Sequence, residues 1–248
     1  MGAAMETALV SLLAREGALR IVALSRIATR SHTPNWCATD AEGRRSLVKL
    51  APEKVVLARV DMPLAVHDLF PDRAFRLDGK RVYVLDWKEG RAKSLDALTA
   101  EELDSLTAAH AAFCAALGAG RIHGDFNCNN VLFLGGKVSG ILDLEAVRQG
   151  HPCEDWVRYA LTGAEHLPVF AWCRRRRLAG NFLRLVASTG FAAADWRRAI
   201  DGFAAAKRAR RARQGRLSFL TRVNLAWRVR FYRRLIAALP REEGSVHG

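Results

Sequence analysis

Within IHGDFNCNNVLF, Ile122 to Phe133, the chain sets His123, Asp125 and Asn130 close together and then returns to an apolar run. Ten residues after Phe133, the stretch GILDLE adds two more carboxylates, Asp143 and Glu145. Read as two strands around Gly135-Gly136, these segments form a hairpin that carries Asp143 back beside Asn130. Alternation along the second strand puts Asp143 and Glu145 on one face. Asp125, Asn130 and Asp143 then meet as an oxygen-rich cluster. Such a set suits Mg²⁺, a hard cation that prefers carboxylate and amide oxygens and phosphate. The bland alternative is a polar turn, because Asp and Asn bond their own backbone there.

The elements that must position this cluster are legible from periodicity. Residues 5–18 read as a short helix. IVALSRIA, NWCAT and RRSLVKL read as three strands, with DAEG as the turn before the third. PEKVVLARV fits helix or strand. AFRLDGKRVYVLDW alternates around Asp78-Gly79, the signature of a tight hairpin. A helix is expected from Thr99 to Leu117, with Glu101 and Glu102 in its first turn. From Trp156 onward the pattern is helical, interrupted near Gly163, Gly190 and Gly215. The order predicts an α+β chain: a small antiparallel β lobe over residues 1–90 and a mainly helical lobe over 91–248, with the polar loop near their junction.

Composition narrows the class. A chain of 248 residues can bury a full core, and half of it is hydrophobic, which excludes a disordered chain. No apolar run approaches the ~18 residues of a membrane span, and the start lacks the pattern of a secretion signal. Five cysteines without a CxxC pair point to reduced thiols and a cytoplasmic setting. The net charge of +14 is concentrated in one segment: Trp172–Arg241 holds 19 Arg or Lys against only Asp195 and Asp201, whereas residues 1–171 are nearly balanced. That segment predicts an anionic partner or a solvated basic surface.

His123-Gly124-Asp125-Phe-Asn-Cys-Asn-Asn130, followed by Ile141-Leu142-Asp143-Leu144-Glu145, resembles the aminoglycoside phosphotransferase and choline kinase family, which has a two-lobe protein-kinase-like fold. Gly150-His151-Pro152-Cys153-Glu154-Asp155 is similar to a further block of that family, with His151 in place of its usual Asp. Asp155 matches the final, buried Asp. The likeness runs over about residues 20–160. It implies a catalytic set of Asp125, His123 and Asn130, with Asp125 orienting the acceptor hydroxyl and His123 bracing the loop. It implies Asn130 and Asp143 as ligands of Mg²⁺, and ATP as the nucleotide, with Glu145 either a further metal ligand or a hydrogen-bonding brace. Lys49, in LVKL, matches the phosphate-gripping lysine. Leu85, Asp86 and Trp87 lie in the stretch Val82–Gly90 that resembles the adenine-holding hinge. The family's glycine-rich loop is replaced by ATRSHTPN, so Ser31, His32 and Asn35 become the phosphate contacts. The glutamate partner of the lysine is not evident; Glu53 follows it by only four residues.

The resemblance implies a kinase acting on a hydroxyl of a small-molecule, sugar or glycolipid acceptor. Scarcity of acids between residues 172 and 241 disfavours a cationic acceptor and favours an anionic one, as in the related lipopolysaccharide-core kinases. NLAWRVRFYRRLIAALP has Leu225, Val229, Tyr232, Ile236 and Leu239 on one helical face and Arg228, Arg230, Arg233 and Arg234 largely off it. That stripe either packs on the helical lobe or meets the inner face of an anionic membrane peripherally. The competing readings are a pseudokinase-like nucleotide-binding module and a nucleic-acid-binding protein. For the latter the chain carries no reader motif, and no specific nucleic acid is expected.

Overall fold

The computed structural model describes residues 2–15, 20–27, 34–52, 73–163, 172–213 and 219–239. Helix α1 (Gly2–Arg15) precedes strands β1 (Ile21–Ile27), β2 (Asn35–Asp40), β3 (Arg45–Pro52), β4 (Arg73–Leu77) and β5 (Lys80–Asp86). These form one antiparallel sheet in the order β1-β2-β3-β5-β4. The Asp78-Gly79 turn places both residues at positive φ (48° and 68°), as a two-residue hairpin with twist-matched strands requires. The stretch PEKVVLARV and Glu53 lie outside the described residues, apart from Pro52 at the end of β3.

Period-two alternation divides the sheet's faces. Trp36, Ala38, Val48, Leu50, Val82 and Val84 pack with Leu9, Leu12 and Leu13 of α1. On the other face Ala51, Tyr83 and Leu85 are buried, with Leu47 and, from the helical part, Leu142 against them. The second face therefore looks into the junction between sheet and helices.

The rest is mainly helical. Strand β6 (Arg91–Ala92) joins β8 (Val131–Leu134) and β9 (Lys137–Ile141), while β7 (Arg121–Ile122) pairs with β10 (Arg148–Gln149). Helix α2 (Ala100–Leu117) starts with a complete capping box: Thr99 accepts from the Glu102 N–H, and Glu102 accepts from the Thr99 N–H. Glu102 is also held by Lys93 at 2.6 Å. Helices α3 (Pro152–Gly163), α4 (Trp172–Thr189), α5 (Ala193–Arg213) and α6 (Phe219–Ala237) close the core.

On α6 the apolar stripe packs inward as its spacing suggests: Leu225, Val229, Tyr232 and Ile236 are buried. Arg228 does not lie on the outer face with its basic neighbours, as the sequence reading had it. It is buried, donating to Leu161 O at the C-terminal end of α3 and to Asn224 Oδ1 at 2.8 Å. Tyr232 donates to Ala160 O at 3.1 Å. The last carbonyls of a helix lack partners of their own, so α6 supplies them for α3. Cys37, Cys114, Cys128 and Cys153 carry free thiols.

Candidate active site

The polar loop is fixed from below. Asp155 of α3 is buried, and its Oδ2 and Oδ1 accept the N–H groups of His123 and Gly124, each at 2.9 Å. His110 of α2 donates to the same carboxylate at 3.2 Å. Burial pushes the Asp155 carboxyl up, but the His110 and His123 contacts outweigh it and hold the group below the usual carboxylate range. Gly124 sits at φ +76°, where a Cβ would stand 2.1 Å from Ala146 O. Only glycine lets the two backbones approach that closely.

His123 is fully buried. Its Nδ1 accepts the Asp125 N–H at 3.2 Å, which leaves the other ring nitrogen to donate to Leu142 O at 2.8 Å. Burial, the largest influence, pulls its pKa below the ordinary histidine value. The ring thus ties the loop to the residue before Asp143. Phe126, also fully buried, anchors the next position among Trp156 and Tyr159. This explains the mixed character of the motif: Asp125 points out and Phe126 points in.

Asp125 keeps a half-exposed carboxylate. Arg158 of α3 donates to Oδ1 at 3.2 Å, and Asn130 Nδ2 stands 3.3 Å from Oδ2 while donating to the Asp125 carbonyl at 2.9 Å. Because Nδ2 is used in this way, Asn130 Oδ1 is the atom that can turn to a cation. Asn127 closes the loop by donating to Asp125 O and accepting from Asn129 N. Leu142 N donates to Asn130 O at 2.6 Å, so Asp143 follows directly beside Asn130. The hairpin brings these residues together as the motif spacing suggested.

Alternation does not continue past the hairpin. Strand β9 ends at Ile141; Asp143 adopts the left-handed conformation (φ 69°, ψ 63°) and Leu144–Ala146 form a 3₁₀ turn. The shared-face argument for Asp143 and Glu145 therefore fails, because period two applies only to extended backbone. The Glu145 side chain lies outside what the structure describes. Asp is one of the few non-glycine residues that visits this region, as Asp78 does in its hairpin turn, and a β-carbon without that polar arm pays more for it.

Across the junction, Lys49 Nζ donates to Asp143 Oδ1 at 2.7 Å, 94 residues away in sequence. Lys49 pairs in register with Asn35 on one side and Tyr83 on the other. Pro34–Leu50 is a hydrogen-bonded pair, so Asn35–Lys49 is the close, non-hydrogen-bonded kind and their side chains lie together. Asn35 Oδ1 is buried with no partner among the described residues. Ser31 and His32 lie outside the described residues.

The hinge residues differ in what they offer. Leu85 contributes its side chain to the apolar patch facing Leu142. Trp87 N donates to Arg45 O, which makes Ser46–Asp86 the non-bonded pair and turns the Asp86 amide and carbonyl away from β3. The described pairing of β4 stops at Val84. Trp87 lies under the Arg45 guanidinium, 5.0 Å from its ring centre, with a buried Nε1 that has no partner among the described residues.

Arg158 escaped the sequence reading. The signal was present: it follows Asp155 by three residues on α3, so the same helix face that anchors the loop also reaches it. Arg158 also lines a cavity of about 300 Å³ between α3 and α5, with Arg148, His151, Asp195, Arg198 and Phe203. Ion pairs within it join Arg148 to Glu154 at 2.7 Å and Arg198 to Asp195 at 3.5 Å. His110, Cys114 and Asp155 form another cluster of metal-type donors. Asp155 is already saturated with hydrogen bonds, and burial raises the Cys114 thiol to about 12, so this trio belongs to the scaffold.

Comparison with known proteins agrees with the architecture. The chain superposes on the aminoglycoside phosphotransferase APH(4)-Ia with a TM-score of 0.61 at 11% identity, covering 94% of this chain and 98% of that one. An aminoglycoside phosphotransferase from Alicyclobacillus acidocaldarius gives 0.56 at 14% identity, covering 88% and 91%. Macrolide 2'-phosphotransferase MphH from Brachybacterium faecium gives 0.51 at 14% identity, covering 90% and 97%. No curated protein sequence matches the chain. These likenesses place the fold among protein-kinase-like enzymes. The model of the phosphotransferase enzyme family matches residues 4–174, more than two thirds of the chain, and this protein belongs to that family.

Proposed function

We propose that the protein is an ATP- and Mg²⁺-dependent kinase that phosphorylates a hydroxyl of a small-molecule, sugar or glycolipid acceptor. The observation that carries the reading is the Lys49–Asp143 pair, set beside an Asn130 whose amide holds Asp125. It joins the sheet to the metal-type oxygens across the junction with the helical part. APH(4)-Ia, in a ternary complex, binds ADP and hygromycin B.

The residues present fit the cofactors. Asp143 and Asn130 offer the carboxylate and amide oxygens that Mg²⁺ takes, and Leu47, Leu85 and Leu142 offer an apolar slot for a base. Asn35 Oδ1, which has no partner among the described residues, fits a phosphate only with its amide turned over, so that Nδ2 faces the anion. Bound Mg²⁺–nucleotide supplies a transferable phosphoryl group whose oxygens are already partly neutralised. Asp125 then positions the acceptor hydroxyl and takes its proton on a carboxylate oxygen, while Lys49 holds phosphate as a point charge. His123 and Asp155 hold the loop; His123, neutral and fully buried, is a positioning residue. The Asp86 backbone groups are the hinge contacts for a base. We assign residues 1–90 to the nucleotide lobe and 91–248 to the lobe of metal and acceptor.

The acceptor carries negative charge. The 172–241 segment supports this with its excess of 17 positive charges, as does Arg158, placed between Asp125 and the 300 Å³ cavity. The free thiols support work in the cytoplasm. The test is acceptor-dependent ATP consumption across neutral, cationic and phosphorylated sugars. Asp125→Asn lowers kcat by roughly 10²- to 10⁴-fold, the span of a general base, with an unchanged fold. Full turnover by that variant removes Asp125 from the base role, and nucleotide binding without turnover on any acceptor returns the protein to the binding-module reading.

A further inference from the structure

The 300 Å³ pocket between α3 and α5 carries an unbalanced charge. Three arginines line it: Arg148, Arg158 and Arg198. Two of them find carboxylates within the lining, Arg148 on Glu154 at 2.7 Å and Arg198 on Asp195 at 3.5 Å. Arg158 does not. Its one ionic partner among the described residues is Asp125, which is outside the lining. The pocket therefore holds one cation more than it holds carboxylates, and that cation touches the proposed base. His151 adds a donor: its Nδ1 accepts from Cys153 N at 3.3 Å, which leaves the proton of a neutral ring on Nε2.

Arg158 is loosely held. A charge-assisted bond normally measures about 2.7–2.9 Å, and arginine favours two at once. Here a single Nη1–Oδ1 contact of 3.2 Å joins side chains that are 28% and 39% exposed. Pairs this open to water are weak. The guanidinium carbon also stands 5.7 Å from the centre of the Phe203 ring, which lines the same pocket. Asp125 has a donor at each oxygen, Arg158 at Oδ1 and Asn130 Nδ2 at 3.3 Å from Oδ2. An acceptor hydroxyl must take one of these places to hand over its proton. Asn130 is tied to the Asp125 carbonyl by the same amide at 2.9 Å, so the arginine is the one free to leave.

We infer that Arg158 is a latch worked by the acceptor: it rests on Asp125 in the free protein, and an oxyanion group of the acceptor, entering the pocket between α3 and α5, takes its guanidinium and clears Oδ1 for the hydroxyl. The fork of the guanidinium suits that exchange, because it meets phosphate or carboxylate with two bonds in place of one. The hydroxyl oxygen then bonds to the terminal phosphorus of ATP, the bond from that phosphorus to ADP breaks, and the proton passes to Asp125. One guanidinium spans both places, so hydroxyl and oxyanion lie a few bonds apart on a small acceptor. A neutral acceptor leaves the latch closed. The latch rests on the kinase reading for its purpose; the exchange of Arg158 between two anions does not.

The probe is phosphite, an oxyanion that the reaction does not produce, and its binding to the full chain is followed by titration calorimetry. Arg158→Gln weakens binding at least roughly tenfold, the loss of a charge-assisted contact. Asp125→Asn tightens it roughly two- to fivefold, the strength of a half-exposed pair, and does so only while Arg158 is present. Arg158→Lys, which keeps the charge without the fork, falls between wild type and Arg158→Gln. Arg184→Gln, the same charge change where α4 pairs with Asp104, alters nothing. Thermal melts confirm that each variant folds. The second readout is ADP formed from ATP with water as the only acceptor. Phosphite accelerates it by the same two- to fivefold in wild type, whereas Arg158→Gln starts at the raised rate and does not respond. An equal gain from Asp125→Asn with and without Arg158 is charge repulsion alone and overturns the latch. So does phosphite binding that leaves wild-type ADP formation unchanged, or binding indifferent to Arg158. Exchange seen by calorimetry with no ADP formed under any condition supports the movement of Arg158 and strikes the kinase reading instead.

Discussion

Asp143 offers the sharpest separation of structural from chemical roles, because one residue carries a backbone strain, an ion pair and a metal-type oxygen. At φ 69° it lies where Ala costs roughly 1–2 kcal/mol and Gly costs nothing. Its pair with Lys49 is intermediate in burial, with side-chain exposures of 41% and 11%. That sets its worth between a surface bridge and a buried one, about 1–2 kcal/mol. Asp143→Asn loses the pair but tolerates the backbone, so it costs about 1–2 kcal/mol. Asp143→Ala loses both and costs about 2–4 kcal/mol. Asp143→Gly loses the pair and relieves the strain, so it is more stable than Ala despite the smaller side chain. At 2–4 °C per kcal/mol for a chain of this size, Gly and Ala differ by roughly 2–8 °C in Tm. The assay is calorimetric melting of the three variants beside acceptor-dependent ATP consumption. All three lose at least about 100-fold in kcat, the loss of several kcal/mol of charge stabilisation. An Ala variant as stable as Gly refutes the strain argument; an Asn variant within threefold of wild-type turnover refutes the metal role.

Arg158→Gln removes a charge-assisted contact worth about 1.5–3 kcal/mol when a ligand uses it, so KM for an anionic acceptor rises roughly 10- to 100-fold while KM for nucleotide stays put. A rise in both equally would mean the loop itself has moved. Stability falls on acidification. His123 has a folded pKa below its unfolded value, so its contribution is full above about pH 6.5 and is lost as pH drops through the lower folded value. Asp155, also depressed, adds a second loss below about pH 4. Melting temperature from pH 7 to pH 5 should decline for wild type and more shallowly for His123→Gln; parallel slopes would remove His123 from the account.

Much of the fold was legible because its signals are local. Asp78-Gly79 and Gly135-Gly136 demand turns whatever surrounds them, and Thr99 with Glu102 caps α2 through contacts three residues apart. The burial of Leu225, Val229, Tyr232 and Ile236 follows from helical period alone. The misread features are those that distant partners decide. Arg228 looks like one more outward arginine until the open end of α3 is placed against it. Asp143 and Glu145 look like strand neighbours, but β9 ends at Ile141 and the chain turns left-handed at Asp143 into a 3₁₀ turn. Arg158 carries no motif, and only the position of Asp155 beneath the loop gives it a target.

That same asymmetry explains how the site is built. The groups that hold the loop, Asp155, His110, His123 and Phe126, are buried nearly to the last atom, while Asp125 and Asp143 remain partly open. A carboxylate that must receive a proton or a cation cannot be sealed in, because desolvation would disfavour its charge. It must nevertheless be held to within fractions of an ångström for transfer to succeed. The chain meets both demands by fixing backbone rather than side chain: Asp155 binds the two N–H groups before Asp125, and His123 binds the one at Asp125 and the carbonyl before Asp143. Each of the two carboxylates proposed to act is then one rigid peptide away from a buried anchor. A substitution that loosens an anchor should therefore lower kcat while leaving nucleotide affinity nearly unchanged, whereas loss of Lys49 should weaken both.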